Sequence, residues 1–253
     1  MSKISGVIIT FNEEQYIEKC IASLVGIVDE IVVVDSFSTD KTKEICEKYN
    51  VVFIEQKFLG YLEQKNFALK QTSHEYALSL DGDEALSEEL KQHILSIKDD
   101  LKYDGYELNR LNNYCGKWIK HSNWYPDSRI RLIKKSSGKW IGKNPHDFLE
   151  LDKGATLGKL NGDLLHWAYD SHEEHFLKVN NFTNISARSH ISQSKKKVGF
   201  VKIFLSPFWK FFKNYFIKLG FLDGLDGFVI CSFASFGTFL KYIKVKELQD
   251  KQK

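Results

Sequence analysis

Residues 30–35 read Glu-Ile-Val-Val-Val-Asp (EIVVVD). Four apolar residues in a row between two acids describe a strand buried on both faces, as in a parallel sheet. Ser5–Thr10 (SGVIIT), Val51–Glu55 and Tyr76–Leu80 (YALSL) are comparable short runs on either side of it. Helical spacing fills the gaps. Ile17, Ile21, Leu24 and Val25 share one face, and residues 40–49 and 61–71 read as further helices. Asn12, with Gln15 three residues on, predicts an N-cap and capping box for the first helix. Ser87 is expected to cap another helix that runs to about residue 98. The spacing therefore predicts β-α-β-α-β-α-β-α, an α/β fold whose parallel sheet lies between helices.

Downstream, Tyr103–Asn109 and Ser128–Lys134 read as strands, with turns at Gly116, Gly138, Gly142 and Pro145. They predict a mixed-sheet half completing the same domain. Residues 171–192 read as a helix. The expected organisation is a catalytic domain over 1–192 and a helical tail over 193–253. No repeat or low-complexity segment interrupts it.

The 253-residue chain is 43% hydrophobic with a formal charge of +3, which excludes bulk disorder. Cys20, Cys46, Cys115 and Cys231 are scattered without a CxxC pair, so reduced thiols and a cytosolic setting are expected. Met1-Ser2-Lys3 leads straight into a strand-like run, so no leader is expected. The charge is uneven. Residues 1–189 hold 24 basic and 29 acidic side chains, net −5; residues 190–253 hold 12 lysines and four acids, net +8. Fourteen of the 35 aromatics lie between Phe200 and Tyr242.

In that tail, Ser206-Pro207 reads as a helix start and Gly220 as its stop. Phe208, Phe211, Phe212, Tyr215 and Leu219 recur at helical spacing among Lys210, Lys213 and Lys218. A lysine- and aromatic-rich amphipathic helix suits a membrane interface, and Lys195-Lys196-Lys197 adds a polybasic lead-in. Gly227–Leu240 is apolar but short of the roughly 20 residues a span needs. A surface-lying or re-entrant anchor over residues 195–243 is therefore expected, with the protein peripheral on the cytoplasmic face of the plasma membrane. A helical hairpin packed on the body, or a dimer interface, is the alternative.

In parallel sheets ligands bind at the carboxyl ends of the strands. Thr10 and Asn12 follow the first strand, Asp35 ends the second, and Asp81-Gly82-Asp83 follows the fourth. Two carboxylates so spaced at a strand end can share Mg²⁺ or Mn²⁺ with a substrate diphosphate. Asp35 reads either as a turn cap or as a carboxylate that contacts a nucleotide base or ribose. Neither GxGxxG nor GxxxxGK[ST] occurs, so a dinucleotide fingerprint and a P-loop are both absent. The acidic cluster also argues against a nucleic-acid partner.

VIITFNEE, VVVDSFSTD, EQKNFAL and LSLDGDE, in this order, resemble the nucleotide-binding half of an inverting family 2 glycosyltransferase with the GT-A fold. PDSRIRLIKKSSGKWIGKNPHDFLEL, GDLLHWAYDS and the ending GFLDGLDGFVICSFASFGTFLKYIKVKEL resemble the subfamily named for the lipopolysaccharide core β-1,4-glucosyltransferase. The resemblance implies a GT-A mixed sheet flanked by helices, a UDP-sugar donor (glucose foremost) and a lipid-linked saccharide acceptor. By the same resemblance Thr10, Asn12 and Glu14 match the first nucleotide-binding segment, Asp35 the uracil–ribose acid, and Lys65 a basic position near the nucleotide. Asp81 and Asp83 match the DxD, with Asp83 the direct metal ligand. Gly142 lies in a loop near the acceptor. His146-Asp147 stands where the family has its catalytic acidic pair, which in the subfamily is more often His-Glu. His166 matches a late histidine that completes metal coordination.

Inverting transfer needs a base for the acceptor hydroxyl, for which Asp147 is the candidate; a turn residue after Pro145 is the alternative. Arg129 or Arg131 would add bidentate contacts to the leaving diphosphate, or a structural salt bridge. For His166 a core histidine is the competing reading. His172 and His175, three apart on a helix, suit a metal or, as expected here, a solvated face. A polyprenyl-phosphate sugar transferase and a sugar-nucleotide nucleotidyltransferase share much of this pattern. An active Asp147→Ala enzyme would indicate the first, and pyrophosphate release the second.

Overall fold

The computed structural model describes residues 2–143, 146–193 and 197–251. The first half alternates as expected: β1 (Ile4–Thr10), α1 (Ile17–Leu24), β2 (Glu30–Asp35), α2 (Thr42–Cys46), β3 (Val52–Glu55), α3 (Tyr61–Gln71) and β4 (Tyr76–Asp81). A short strand β5 (Glu84–Leu86) then intervenes before α4 (Glu88–Ile97), which Ser87 caps through the Leu90 N–H. Next come β6 (Gly105–Tyr114), β7 (Lys117–Ile119), β8 (Asp127–Lys134), β9 (Gly138–Lys143), β10 (His146–Leu151) and β11 (Leu157–Tyr169). The chain ends in α5 (His172–Gln193), α6 (Phe200–Phe212) and α7 (Gly224–Asp250).

Two compact units emerge. The first comprises Met1–Leu111 and Asp127–Trp167, the second Asn112–Pro126 and Ala168–Lys253. In the first unit the sheet order is β3-β2-β1-β4-β8-β6-β11-β5. β1 pairs in parallel with β2 and β4, while β8 joins β4 antiparallel, giving a mixed sheet. Alternate residues go to opposite faces. Ile8, Val33 and Leu78 pack with Ile21 of α1 and Leu90 of α4. Val7, Val32 and Val34 pack with Leu69 of α3, Trp140 of β9 and Leu149 of β10. Each such side chain contributes about 1.5–3 kcal/mol when fully buried. Burial on both faces explains why EIVVVD has no polar residue between its acids.

Two expected helix starts are different in the structure. Asn12 is not a cap: α1 begins after Tyr16, and Asn12 is left-handed at φ 54°, a region that asparagine tolerates. Ser206-Pro207 does not open a helix either. α6 starts after Gly199 and runs through Pro207, which is buried. Proline there forfeits an intrahelical bond, but its carbonyl accepts Ser235 Oγ of α7 at 2.9 Å, so packing overrides propensity.

In the second unit α5, α6 and α7 pack around Ala187, Ile203 and Val245. A π-helical turn (Lys213–Ile217) and a 3-10 turn (Gly220–Asp223) link α6 to α7. The helical segment Gly220–Asp250 is long and apolar enough to cross a membrane by length and composition alone, and it extends beyond the apolar stretch Gly227–Leu240 on both sides. A side-by-side fit to α5 accounts for part of this length: Lys244 Nζ of α7 donates to the Asn180 carbonyl and to Thr183 Oγ1 of α5. Lys195 and Lys196 lie outside the described residues.

Candidate active site

The carboxyl ends of β1, β2 and β4 bring the first candidates into place. Thr10 ends β1 and Asp35 ends β2, in register with each other. The loop after β1 is laced to the loop after β2. Ser38 Oγ accepts the Asn12 backbone N–H at 2.8 Å, and Asn12 Oδ1 accepts the Thr39 N–H at 2.8 Å. Glu14 accepts the Lys41 N–H at 3.0 Å. Asp35 is buried, and its Oδ2 accepts the Ser38 N–H at 2.7 Å, the turn-capping geometry.

Asp81 ends β4, and Gly82 turns the chain back into β5. A Cβ on Gly82 would sit 2.8 Å from Thr10 Oγ1, so the DxD turn lies directly against the end of β1. β5 pairs with β11 so that Glu84 faces His166. This register sets His166 Nε2 3.4 Å from Asp83 Oδ2.

Helix α3 supplies three consecutive tertiary contacts. Gln64 donates to Ser36 Oγ at 3.1 Å. Lys65, buried, reaches Asp81 Oδ1 at 3.1 Å and Asp147 Oδ2 at 2.9 Å. Asn66 clamps the backbone of Trp140, donating to its carbonyl at 2.9 Å and accepting its N–H at 3.2 Å. The Trp140 ring lies 4.4 Å from Lys65 Nζ. Trp140 belongs to the hairpin β9–β10, in which Asp147 stands opposite Gly142. Gly142 has φ 115°, a conformation that favours glycine. The hairpin therefore carries Asp147 to the DxD end of the sheet. His146 pairs with Lys143 in the hairpin, and its side chain lies outside the described residues, as does Pro145.

Arg129 and Arg131 part company. Arg131, buried, donates to Glu84 Oε1 at 2.6 Å and lies 3.5 Å from Asp81 Oδ2. Arg129 pairs with Asp127 at 2.9 Å and is partly exposed, the structural salt bridge of the two readings. Glu84 and Arg110 join the site without having been singled out in the sequence. Glu84 is fully buried; its Oε2 accepts the Asp81 N–H at 2.9 Å, and Arg110 lies 3.5 Å from its Oε1. The position of Glu84, directly after the DxD, was the one available signal. Burial alone would raise the pKa of Asp81, but Lys65 and then Arg131 reverse this and hold the carboxyl well below the usual range.

A divalent cation fits the donor set in one way. Asp83 and His166 converge, whereas Asp81 is committed to Lys65 and Arg131. No cluster of three metal-ligating side chains occurs among the described residues. Magnesium-type sites commonly use one or two carboxylates and take the other ligands from substrate phosphates and water, so two protein ligands suffice. His172 and His175 both turn to one hydroxyl, and the expected solvated face holds for the exposed His172 but not for the buried His175. Both Nδ1 atoms lie 3.0 Å from the Tyr114 hydroxyl, and His175 is buried among aromatic rings.

A mixed sheet with acids at the ends of its parallel strands and a DxD turn beside them defines a GT-A nucleotide-sugar transferase fold. The chain belongs to glycosyl transferase family 2, which matches residues 5–149, and it is a glycosyltransferase. It is 34% identical to an uncharacterized glycosyltransferase of Rickettsia typhi, covering 100% of this chain and 90% of that one. It is 30% identical to the lipopolysaccharide core biosynthesis glycosyltransferase LpsC of Rhizobium meliloti, over 96% and 91% of the two chains. Among solved structures it is similar to Staphylococcus aureus TarS in complex with UDP, at 17% identity and a TM-score of 0.47, over 99% of this chain and 92% of that one.

Proposed function

We propose that the protein transfers a hexose, glucose foremost, from a UDP-sugar to a lipid-linked saccharide such as lipopolysaccharide core, with inversion and with Mg²⁺ or Mn²⁺. The likeness to LpsC supports the acceptor class. The observation that carries the reading is the meeting of Asp147 and Asp81 on one lysine. It sets a candidate base from the β9–β10 hairpin beside the carboxylates that would face the donor diphosphate.

In this reading the acceptor hydroxyl oxygen attacks the anomeric carbon, the bond to UDP breaks, and the hydroxyl proton passes to Asp147. Lys65 holds Asp147 Oδ2, which leaves Oδ1 for the acceptor. Asp83 and His166 would hold the metal, which when bound supplies Lewis-acid stabilisation of the leaving diphosphate. Thr10, Asn12, Glu14 and Asp35 would frame the nucleoside, and Arg131 the phosphates.

The tail would keep the enzyme at the inner face of the plasma membrane. Phe208 on α6 is 71% exposed and Leu225 on α7 is 75% exposed, two of many large apolar side chains that these helices leave exposed. The test is UDP release from a panel of UDP-sugars with Mg²⁺ or Mn²⁺, with Asp83→Ala as control. Sugar-dependent UDP release that Asp83→Ala abolishes is the expected result. Absence of binding and turnover with every donor and both metals would overturn it.

A further inference from the structure

We infer that the membrane-docking surface is bipartite: the segment 115–125 (β7 and the loop after it), from the middle of the chain, joins the tip of the α6–α7 hairpin in one face for an anionic lipid bilayer. The inference rests on the membrane reading above and specifies which residues meet the headgroups.

The tip is the link between the two helices, residues 213–225. It exposes Phe216, Ile217, Leu219, Leu222 and Leu225. From Phe200 to Leu222 the chain has four lysines (Lys202, Lys210, Lys213 and Lys218) and no acid. These four lysines and the five apolar side chains of the tip, all exposed or half-buried, complement an anionic headgroup layer over acyl chains.

The loop is locked to this tip by a buried acid. Asp223 is 4% exposed and sits between Leu222 and Gly224. Its carboxylate accepts the His121 N–H at 3.0 Å and the Lys120 N–H at 3.4 Å, and His121 Nδ1 lies 2.9 Å from it. Ser122 N–H donates to the Lys218 carbonyl at 3.0 Å, and Lys117 Nζ donates to the Asp223 carbonyl. Gly220 lets the loop approach, since a Cβ there would meet Ser122 Oγ at 2.8 Å. Five contacts on one turn leave the loop no independent position, so the exposed Lys120 belongs to the same face as Lys218 and Leu222.

A second copy of this chain is the competing occupant. The uninterrupted positive charge from Phe200 to Leu222 opposes pairing of this face with itself, because like charges juxtaposed across an interface cost binding energy.

The experiment is co-sedimentation of the full chain with vesicles of phosphatidylcholine alone and of phosphatidylcholine mixed with phosphatidylglycerol. Lys120→Glu, outside the catalytic machinery, should weaken binding to the mixed vesicles about thirtyfold, since reversing the charge alters two charges at roughly 1 kcal/mol each at such a surface. It should leave UDP release unchanged. Leu222→Ser with Leu225→Ser should weaken binding to both vesicle types. If Lys120→Glu binds the mixed vesicles as wild type does while the leucine variant is impaired, the bipartite face is wrong and the helical anchor survives. If wild type binds neither vesicle and instead dimerises in sedimentation velocity, the membrane reading itself falls.

Discussion

Lys65 Nζ stands 2.9 Å from Asp147 and 3.1 Å from Asp81, so one buried ammonium joins the base candidate to the first carboxylate of the DxD. Removing it leaves Asp147 facing Asp81, with Arg131, 3.5 Å from Asp81, as the remaining counter-charge. Lys65→Met should cost ~3 kcal/mol or more, as breaking a buried ion pair does. Lys65→Arg should recover most of that loss, and little of the activity if the ammonium position matters. Urea denaturation checks the first outcome and UDP release the second.

Glu84 receives Arg131, Arg110 and the Asp81 N–H on one carboxylate. Glu84→Gln keeps an oxygen for the N–H and removes the charge. The variant should lose ~2–4 kcal/mol of stability, with KM for the UDP-sugar raised as Arg131 loses its anchor. Thermal unfolding and donor-dependent initial rates measure these. A variant with unchanged KM would show that Arg131 does not depend on Glu84 to face the donor.

Gly82 separates the DxD aspartates by the smallest possible residue because Thr10 lies behind it. Gly82→Ala must push either Thr10 or the turn aside. A shift of a few tenths of an ångström in Asp83 should lower donor turnover about tenfold, since misplacement by 1 Å can cost roughly a hundredfold. The fold should persist, because the one approach under 3 Å is to a side-chain hydroxyl, and Thr10 Cβ and Glu13 Cγ at 3.2 Å need give by only a few tenths of an ångström. Circular dichroism and UDP release together report the outcome.

How much was legible follows from how far each contact reaches. Strands such as Glu30–Asp35 announce themselves, because burial on two faces demands an unbroken apolar run. The acids at their ends were legible for the same reason. Asp147 was placed only through a family motif, because nothing in its neighbours tells that the β9–β10 hairpin brings it to Lys65. Arg110 was invisible: it sits in the polar run LNRLNN, and its partners Glu84 and Asp127 are distant in sequence. Local rules failed where packing outvoted them, as at Asn12, which spends its side chain on Thr39, and at Pro207 inside α6. The segment 112–126 gave no sign of joining the tail, since only the folded chain brings Asp223 to His121.

His175 makes the stability of the second unit depend on pH. Its ring packs 4.4 Å from Tyr169 and 4.5 Å from Phe233, and its Nδ1 meets the Tyr114 hydroxyl. Burial first, then the nearby His172 and Lys178, lower its pKa to about 4, against a small opposing pull from Glu174. In the unfolded chain a histidine titrates near roughly 6.5. Between these two values the unfolded chain binds a proton that the folded one refuses, so stability rises with pH across that window. The contribution is complete above about pH 6.5, shrinks as pH falls, and is gone below about 4. His175→Phe keeps an aromatic ring in the box and removes the titration. The difference in urea midpoint between wild type and variant should therefore narrow, or change sign, as pH is lowered from 7 through this window, because only wild type weakens by this route. A difference that stays constant across the window would mean that His175 takes up its proton in the folded chain as readily as in the unfolded one, so that the aromatic box accommodates a charge.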